Sequence, residues 1–456
     1  MLYRSLGFVT SACLCGALLI GCADGGSSAT RVAGALPAGA QSAPVHAPGG
    51  AVRRTQSTPT CSGVANNSFI GGGIANVADA LNAGILAGNT NEVCDENAVI
   101  VGGVNNVIAS GTGSAFSSFI GAGGTNTITS GAHGAFVGSG NSNTVTGAFA
   151  VIVGGATNQN AGAKASLGGG DTNTITSAAT DGVLGGGFTN TVSAQYGVIA
   201  GGTNNTVSGE GGYIAAGGYN TVSGEGAVAD GGFSNTAAGN FATIPGGYAN
   251  SAAGIYSFAA GVHASAAQNG TFVWSDGSNG DATLASTAAY QFLARAAGGY
   301  TLWTNAAATV GAQLAAGSGT WASASDRNLK TDVAHIDDAA VLEKVATLPI
   351  ERWSYKSERG VRHVGPMAQD FYAAFRVGED DKHITSIDED GVALSAIKAL
   401  HARVRSLGAE NVQLWARLAA VRTSQSLGAR QQARRDASMQ RELEHLSAEV
   451  SSLRGR

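Results

Sequence analysis

Two hydrophobic rhythms divide the chain. Between residues 63 and 265, apolar and polar positions alternate in short runs such as Thr206-Val207-Ser208 and Tyr213-Ile214-Ala215, and glycine-rich turns separate the runs. A period of two predicts strands with one face inward. From Ile397 onward the period is seven. Ile397, Val404, Asn411 and Leu418 occupy one seam position, and Leu400, Leu407, Leu414 and Val421 the other. A second run places Leu443 and Val450 at the first position and Met439, Leu446 and Leu453 at the second. This is the heptad pattern of a helix that packs along a seam, and Asn411 within it can specify register and strand number. Leu418 and Leu443 lie 25 residues apart, four more than three heptads, so a phase break is expected between the runs. The alternative is a two-helix hairpin packed on its own domain.

The strand region is a repeat. Asparagine marks each copy, at Asn126, Asn143, Asn158, Asn173, Asn190, Asn205, Asn220, Asn235 and Asn250, with spacings of 15 or 17 residues. That period is too short for a helical hairpin. It fits a parallel β-roll that gains one strand layer per ~4.8 Å, with glycine at the tight corners. Asparagines at the same place in each coil can form a hydrogen-bonded ladder. Each coil offers only two or three inward apolar side chains, so lateral association would help offset the backbone entropy. Threonine rows at Thr125-Asn126-Thr127-Ile128-Thr129 and Thr172-Asn173-Thr174-Ile175-Thr176 suggest an ice-binding face, but read along the sequence the row is not sustained in later copies. Residues 266–320 lose the repeat and are expected to form a β-rich neck, with Phe272-Val273-Trp274 and Gln291 to Ala296 as isolated strands.

Composition sharpens this division. The chain has 456 residues and 69 glycines, too glycine-rich for one ordinary large core. Only six of its 26 Lys and Arg residues precede position 321. With a net charge of −5 and no basic stripe, nucleic acid is excluded as a partner. No Gly-Lys-Ser/Thr follows a glycine run, so there is no phosphate loop. Aspartate does not recur as a calcium-binding roll would need, and the histidines lack ligand spacing; neither a metal nor another cofactor is expected.

The N-terminus reads as an export signal. Arg4 precedes a mostly apolar run from Leu6 to Ile20 that is short for a membrane span. Leu19-Ile20-Gly21-Cys22 resembles a bacterial lipobox. The resemblance implies cleavage after residue 21, lipidation of Cys22 and a membrane-anchored protein of the cell envelope or surface. An ordinary cleaved signal peptide is the alternative. Residues 22–62 are a Gly/Ala/Ser/Pro-rich tether. Of the remaining cysteines, Cys61 and Cys94 most simply form one disulfide in an exported protein.

From about Trp321 the composition becomes that of an ordinary globular domain. Ile336 to Leu348 predicts a helix capped by Asp337 and ended by Pro349, Ile350 to Tyr355 a strand, and Gly365 to Phe371 the start of another short helix.

Two family resemblances follow from these residues. The Asn-Ser/Thr-Val-Ala/Ser-Gly copies over about 63–265 resemble the head repeats of trimeric autotransporter adhesins. They imply a left-handed parallel β-roll trimerised side by side, although that family's membrane-anchor barrel is missing. Ser325-Asp326 with Lys330, the segment Gly365-Pro366-Met367-Ala368-Gln369-Asp370, and a terminal helix from about Val392 resemble the C-terminal intramolecular chaperone of endosialidase-type phage tailspikes. That resemblance implies trimerisation, templating of a β-rich fibre, and self-cleavage by a Ser–Lys dyad. Ser325 would be the nucleophile, Lys330 the general base and Ala324–Ser325 the scissile bond. The expected organisation is thus signal 1–21, tether 22–62, β-roll 63–265, neck 266–322, α+β chaperone 323–391 and coiled coil 392–456.

The chemistry has conditions. Residues five apart point to different faces of a helix and opposite faces of a strand, so the dyad must form across a turn or between chains. A free lysine titrates at about 10.4, and a general base must be neutral, so the assembled site must strip its amine of water. Asp326 would oppose this unless it points away. The competing reading is an inert surface Ser and Lys in an adhesin or structural fibre whose terminal domain only trimerises. A domesticated phage fibre is a third. Whatever surface ligand the fibre binds is not encoded in any motif.

Overall fold

The computed structural model describes Cys61 and residues 67–109, 116–358 and 360–455. The signal, Cys22 and nearly all of the tether lie outside the described residues. The chain divides into two compact units, one ending at Thr301 and including Gln313–Trp321, the other made of Leu302–Ala312 and Ala322–Arg456.

The first unit is a parallel β-solenoid. Short strands, most of two residues, stack into one sheet of 16 strands and another of 14, pairing in parallel with their counterparts in the next coil. Ile152 and Leu167 are in register on the first sheet, as are Val192 and Val207 on the second. The inward residue of most strands is an aliphatic such as Ile120, Ile128, Leu184 or Ile199, fully withdrawn from water, and Asn160 is an exception. Burial of that side chain, repeated in every coil, is the main hydrophobic term.

The marker asparagines form the expected ladder. Asn220 donates from its backbone N–H (3.0 Å) and its Nδ2 (3.2 Å) to Asn205 Oδ1, and Asn235 repeats this on Asn220 at 3.0 and 3.1 Å. Each Nδ2 also reaches glycine carbonyls at the corner of its own or the next coil, as Asn205 does to Gly201 and Gly217. The corner demands glycine. Gly217 has φ +96°, and a Cβ there would lie 2.1 Å from the Gly232 carbonyl oxygen.

Two readings from the sequence change here. The repeat fades after residue 265, yet the solenoid does not end. Phe272–Asp276 pairs in parallel with Phe258–Val262, and Phe292–Arg295 pairs with Phe272–Asp276, so the strands expected to stand alone in a neck are further coils. Hydrogen bonding between backbones continues a sheet without needing the repeat's exact side chains. The threonine row is also sustained. On the second sheet, between Thr127 and Thr236, the outward residues are Thr127, Thr144, Thr174, Thr191, Thr206, Thr221 and Thr236, interrupted only by Gln159. The 15- and 17-residue spacings hide this alignment in the linear sequence.

The first sheet is different outside. Its outward row contains Val99, Phe119, Phe136, Val151, Ser166, Val183, Val198, Tyr213 and Val228, in register from coil to coil. At its C-terminal end Phe258, Phe272 and Phe292 stack with centroids 4.6 and 4.7 Å apart. Here Asp276 ties off the last coils. It accepts from the backbone N–H groups of Ala297 (2.6 Å) and Ser278 (3.0 Å), and from Arg295 Nε at 3.4 Å. The Ala297 N–H first, then Ser278 and Arg295, hold its carboxyl far below the usual carboxylate range.

Three short strands, β1 (Gly299–Trp303), β2 (Gly311–Ala315) and β3 (Trp321–Ser323), make a small separate sheet. Beyond it come helix α1 (Asp338–Thr347), an antiparallel pair β4 (Glu351–Trp353) and β5 (His363–Gly365), helix α2 (Ala368–Phe375) and helix α3 (Ser386–Arg454). Asp337 caps α1 by accepting from the Ala339 and Ala340 N–H groups, as its sequence suggested. Helix α3 runs unbroken for 69 residues. This removes the hairpin alternative, and the four-residue offset is absorbed inside a continuous helix.

Helix α1 meets α3 through Asp338, which accepts from Ser395 Oγ at 2.7 Å and pairs with Lys398 Nζ at 2.5 Å. Lys398 first, then Ser395, lower the Asp338 carboxyl below its ordinary value. A depressed carboxylate contributes stability above its unfolded pKa and loses it as pH falls through the folded one. The α1–α3 contact should therefore weaken below about pH 4. Thermal scans of wild type and Asp338→Asn should differ at neutral pH, with wild type higher, and converge in acid. A gap that widens in acid would contradict this assignment.

Candidate functional site

The site lies within the second unit, just after β3. Ala324, just after β3, donates its N–H to the Gly311 carbonyl at 3.2 Å, which pins the peptide that leads into Ser325. A single 3-10 turn, Arg327–Leu329, follows. The turn solves the spacing problem. Neither helix nor strand would bring positions five apart together, but one tight turn between two extended residues reverses the chain. Lys330 Nζ consequently donates to Ser325 Oγ at 2.7 Å.

Asp326 organises the turn. Its backbone is extended, and its Oδ1 accepts from the Asn328 backbone N–H at 2.9 Å and from Asn328 Nδ2 at 3.0 Å. Its carboxylate is thus engaged as an N-cap and turned to the start of the turn. Read as a sequence, Asp326 shows only its charge. Aspartate two places before Asn328, ahead of a short turn, is itself a capping signal and carried the missed role.

Chemically, the hydroxyl and amine have the geometry of a nucleophile and its base. Ser325 Oγ also reaches its own preceding carbonyl through a five-membered ring. In the single chain both residues are exposed to water.

A family model matches this segment. It is Peptidase S74, described as the chaperone of endosialidase, and it spans residues 325–377. The match begins at Ser325 and takes in Lys330, α1, the β4–β5 pair and α2. No curated protein matches the chain. The C-terminal unit therefore carries a chaperone-of-endosialidase domain, which fits a fibre protein with a C-terminal trimerisation chaperone.

The remaining sequence candidates lie elsewhere. Cys61 and Cys94 are joined, with Cα atoms 5.2 Å apart, beside the buried Val77. Glu92 Oε1 lies 3.3 and 3.2 Å from the two sulfurs. Sulfurs bonded to each other offer no thiolate to a metal ion. His363 stacks on Trp353 with centroids 4.6 Å apart and sets its Nε2 3.3 Å from Glu358, a packing role. Among the described residues no helix is long and apolar enough to cross a membrane.

Proposed function

We propose that this chain is an exported, lipid-anchored homotrimeric fibre whose C-terminal domain assembles three copies and then cuts itself free at Ala324–Ser325. The observation that carries this reading is the 2.7 Å hydrogen bond from Lys330 Nζ to Ser325 Oγ at the first residue of the chaperone match.

Trimerisation is supported by what the single chain leaves uncovered. In the described part of Ala322–Arg456, only Phe371, Ser395, Ala396 and Ala399 are buried. Leu329, Val333, Ile336, Ile350, Tyr355 and Val364 are exposed, the last at 70 %. The heptad residues of α3, from Ile397 to Leu453, are likewise exposed. A 69-residue helix with an open apolar seam gains its stability from partner helices. The Val/Phe row of the first sheet gives the solenoid a face that three copies can bury together.

The cleavage step then follows from burial. Association that covers Lys330 favours the neutral amine. The amine takes the Ser325 hydroxyl proton as Oγ attacks the Ala324 carbonyl carbon. The Ala324–Ser325 C–N bond breaks, and the Ser325 nitrogen leaves as an amine after accepting the proton. The Ala324 acyl group is now esterified to Ser325 Oγ. Water hydrolyses this ester, leaving a carboxylate on Ala324 and restoring the serine. Each chain does this once, so cleavage reports completed assembly. Export and lipidation at Cys22 rest on the signal and lipobox pattern of the sequence.

The full chain, produced and purified, is expected to give two polypeptides on a denaturing gel, one of them beginning at Ser325, and three copies by native mass. An unbroken chain behaving as a single subunit would defeat the proposal.

A further inference from the structure

The two outer faces of the solenoid have the same backbone but different chemistry. Their strands have the same length and parallel pairing, so β-propensity acts equally on both. Valine and phenylalanine predominate in the outward row of one, with Ser166, Tyr213 and Thr243 among them. Threonine fills that of the other in seven of the eight successive strands from Thr127 to Thr236. Two residues further along, again pointing outward, stand Thr129, Thr146, Thr176, Ser193, Ser208 and Ser223, with Ala161 and Ala238 in the other two coils. Neither row holds a charged or aromatic side chain over this length. An ordinary solvated face is mixed and charged.

The hydroxyls are available. Among the described residues, none of the seven threonines in the first row hydrogen-bonds to protein through its hydroxyl, whereas in the second Thr129 Oγ1 donates to the Val145 carbonyl at 3.5 Å and Ser193 Oγ to the Val207 carbonyl at 3.2 Å. The array is also rigid. Each threonine is β-branched with restricted χ1, and its strand is locked on both sides by the sheet. Neighbouring hydroxyls stand about 4.8 Å apart along the stack and about 6.7 Å apart across it. Both spacings are of the order of oxygen repeats on the faces of ice. Methyl groups between the hydroxyls order the adjoining water.

We infer that this face binds an ordered lattice of water, the surface of an ice crystal. The absence of charge selects against ionic ligands, and the absence of aromatic platforms on the rows selects against stacked sugars. The periodicity in two directions selects for a crystalline partner over a single small molecule. This inference is independent of cleavage, and it leaves the Val/Phe face free to be covered.

Ice itself is the probe. Full-length protein in a slowly freezing solution should be enriched in the ice fraction, whereas serum albumin of equal mass concentration is excluded. The double variant Thr191→Lys/Thr206→Lys should lose that enrichment and behave as albumin does, with its far-UV circular dichroism unchanged. Glu210→Lys, a charge change at an exposed corner off the rows, should retain it. Wild type excluded from ice like albumin would overturn the inference. So would a folded double variant that partitions as wild type does, or retention of wild type on crystalline cellulose or chitin without enrichment in ice.

Discussion

A Ser325→Ala chain is expected to remain in one piece, still trimeric, under conditions in which wild type separates into two polypeptides. Removing Oγ removes the nucleophile and the acceptor of the 2.7 Å bond from Lys330, while Ala324 keeps its bond to Gly311. Nothing in the β3 end or the 3-10 turn depends on the hydroxyl, so folding should be unaffected. The loss should be complete, because no other hydroxyl is placed to attack its own preceding carbonyl with a lysine at hydrogen-bond distance among the described residues. The control that assigns chemistry rather than packing is Lys330→Arg. Arginine retains the charge and can donate to Ser325, but its guanidinium does not give up a proton in proteins. Uncut protein from Lys330→Arg would mark the lysine as the base; normal cleavage would reduce it to a hydrogen-bond donor.

Asp326→Ala probes the turn and leaves both reacting groups in place. An N-cap of this kind contributes about 1–2 kcal/mol. Loosening the turn by that amount corresponds to a dyad populated roughly fivefold to thirtyfold less often. Cleavage should slow accordingly without stopping, followed as the decay of the full-length band with time. A rate equal to that of wild type would remove Asp326 from any positioning role.

How far the sequence discloses this protein depends on the distance over which each feature is encoded. The inward aliphatics and the asparagine ladder are local and repeat at near-constant spacing, so the solenoid is legible from period alone. Asp337 as a helix cap and the start of α2 are equally local. The continuation of the solenoid past residue 265 is carried by backbone pairing of Phe258–Val262 with Phe272–Asp276, which leaves no repeat to read. The threonine row is visible only once 15- and 17-residue coils are brought into register, as Thr191 is with Thr174 and Thr206. At the dyad, the residue types and spacing were legible, but whether five positions could close depended on a turn set by Asp326 and Asn328. Family resemblance supplied the pairing, and backbone geometry shows how it closes.

The second large effect concerns two buried asparagines in one coil, for which opposite outcomes are expected. Asn158 belongs to the ladder. It donates to Asn143 Oδ1 from N–H and Nδ2 at 3.1 Å each, its Nδ2 reaches the Gly154 and Gly170 carbonyls, and its Oδ1 accepts from Asn173. Asn158→Ala removes these side-chain bonds and strands the buried Asn173 N–H. At about 1 kcal/mol for each of the five lost bonds, with a further 1–3 kcal/mol for the orphaned donor, on the order of 6–8 kcal/mol of stability is lost. Asn160 lies two residues on, in the inward row where Val145 and Ile175 are its neighbours above and below. Its Nδ2 donates to the Val151 and Ala165 carbonyls, but its Oδ1 is buried with no partner. Asn160→Val fits the row, removes the orphan acceptor and should raise stability by about 1 kcal/mol. Denaturant titrations of both variants in the Ser325→Ala background, where the chain stays whole, read the two signs directly. Equal destabilisation would show that burial alone sets the energetics of these amides; opposite signs would show that the ladder holds the coils in register.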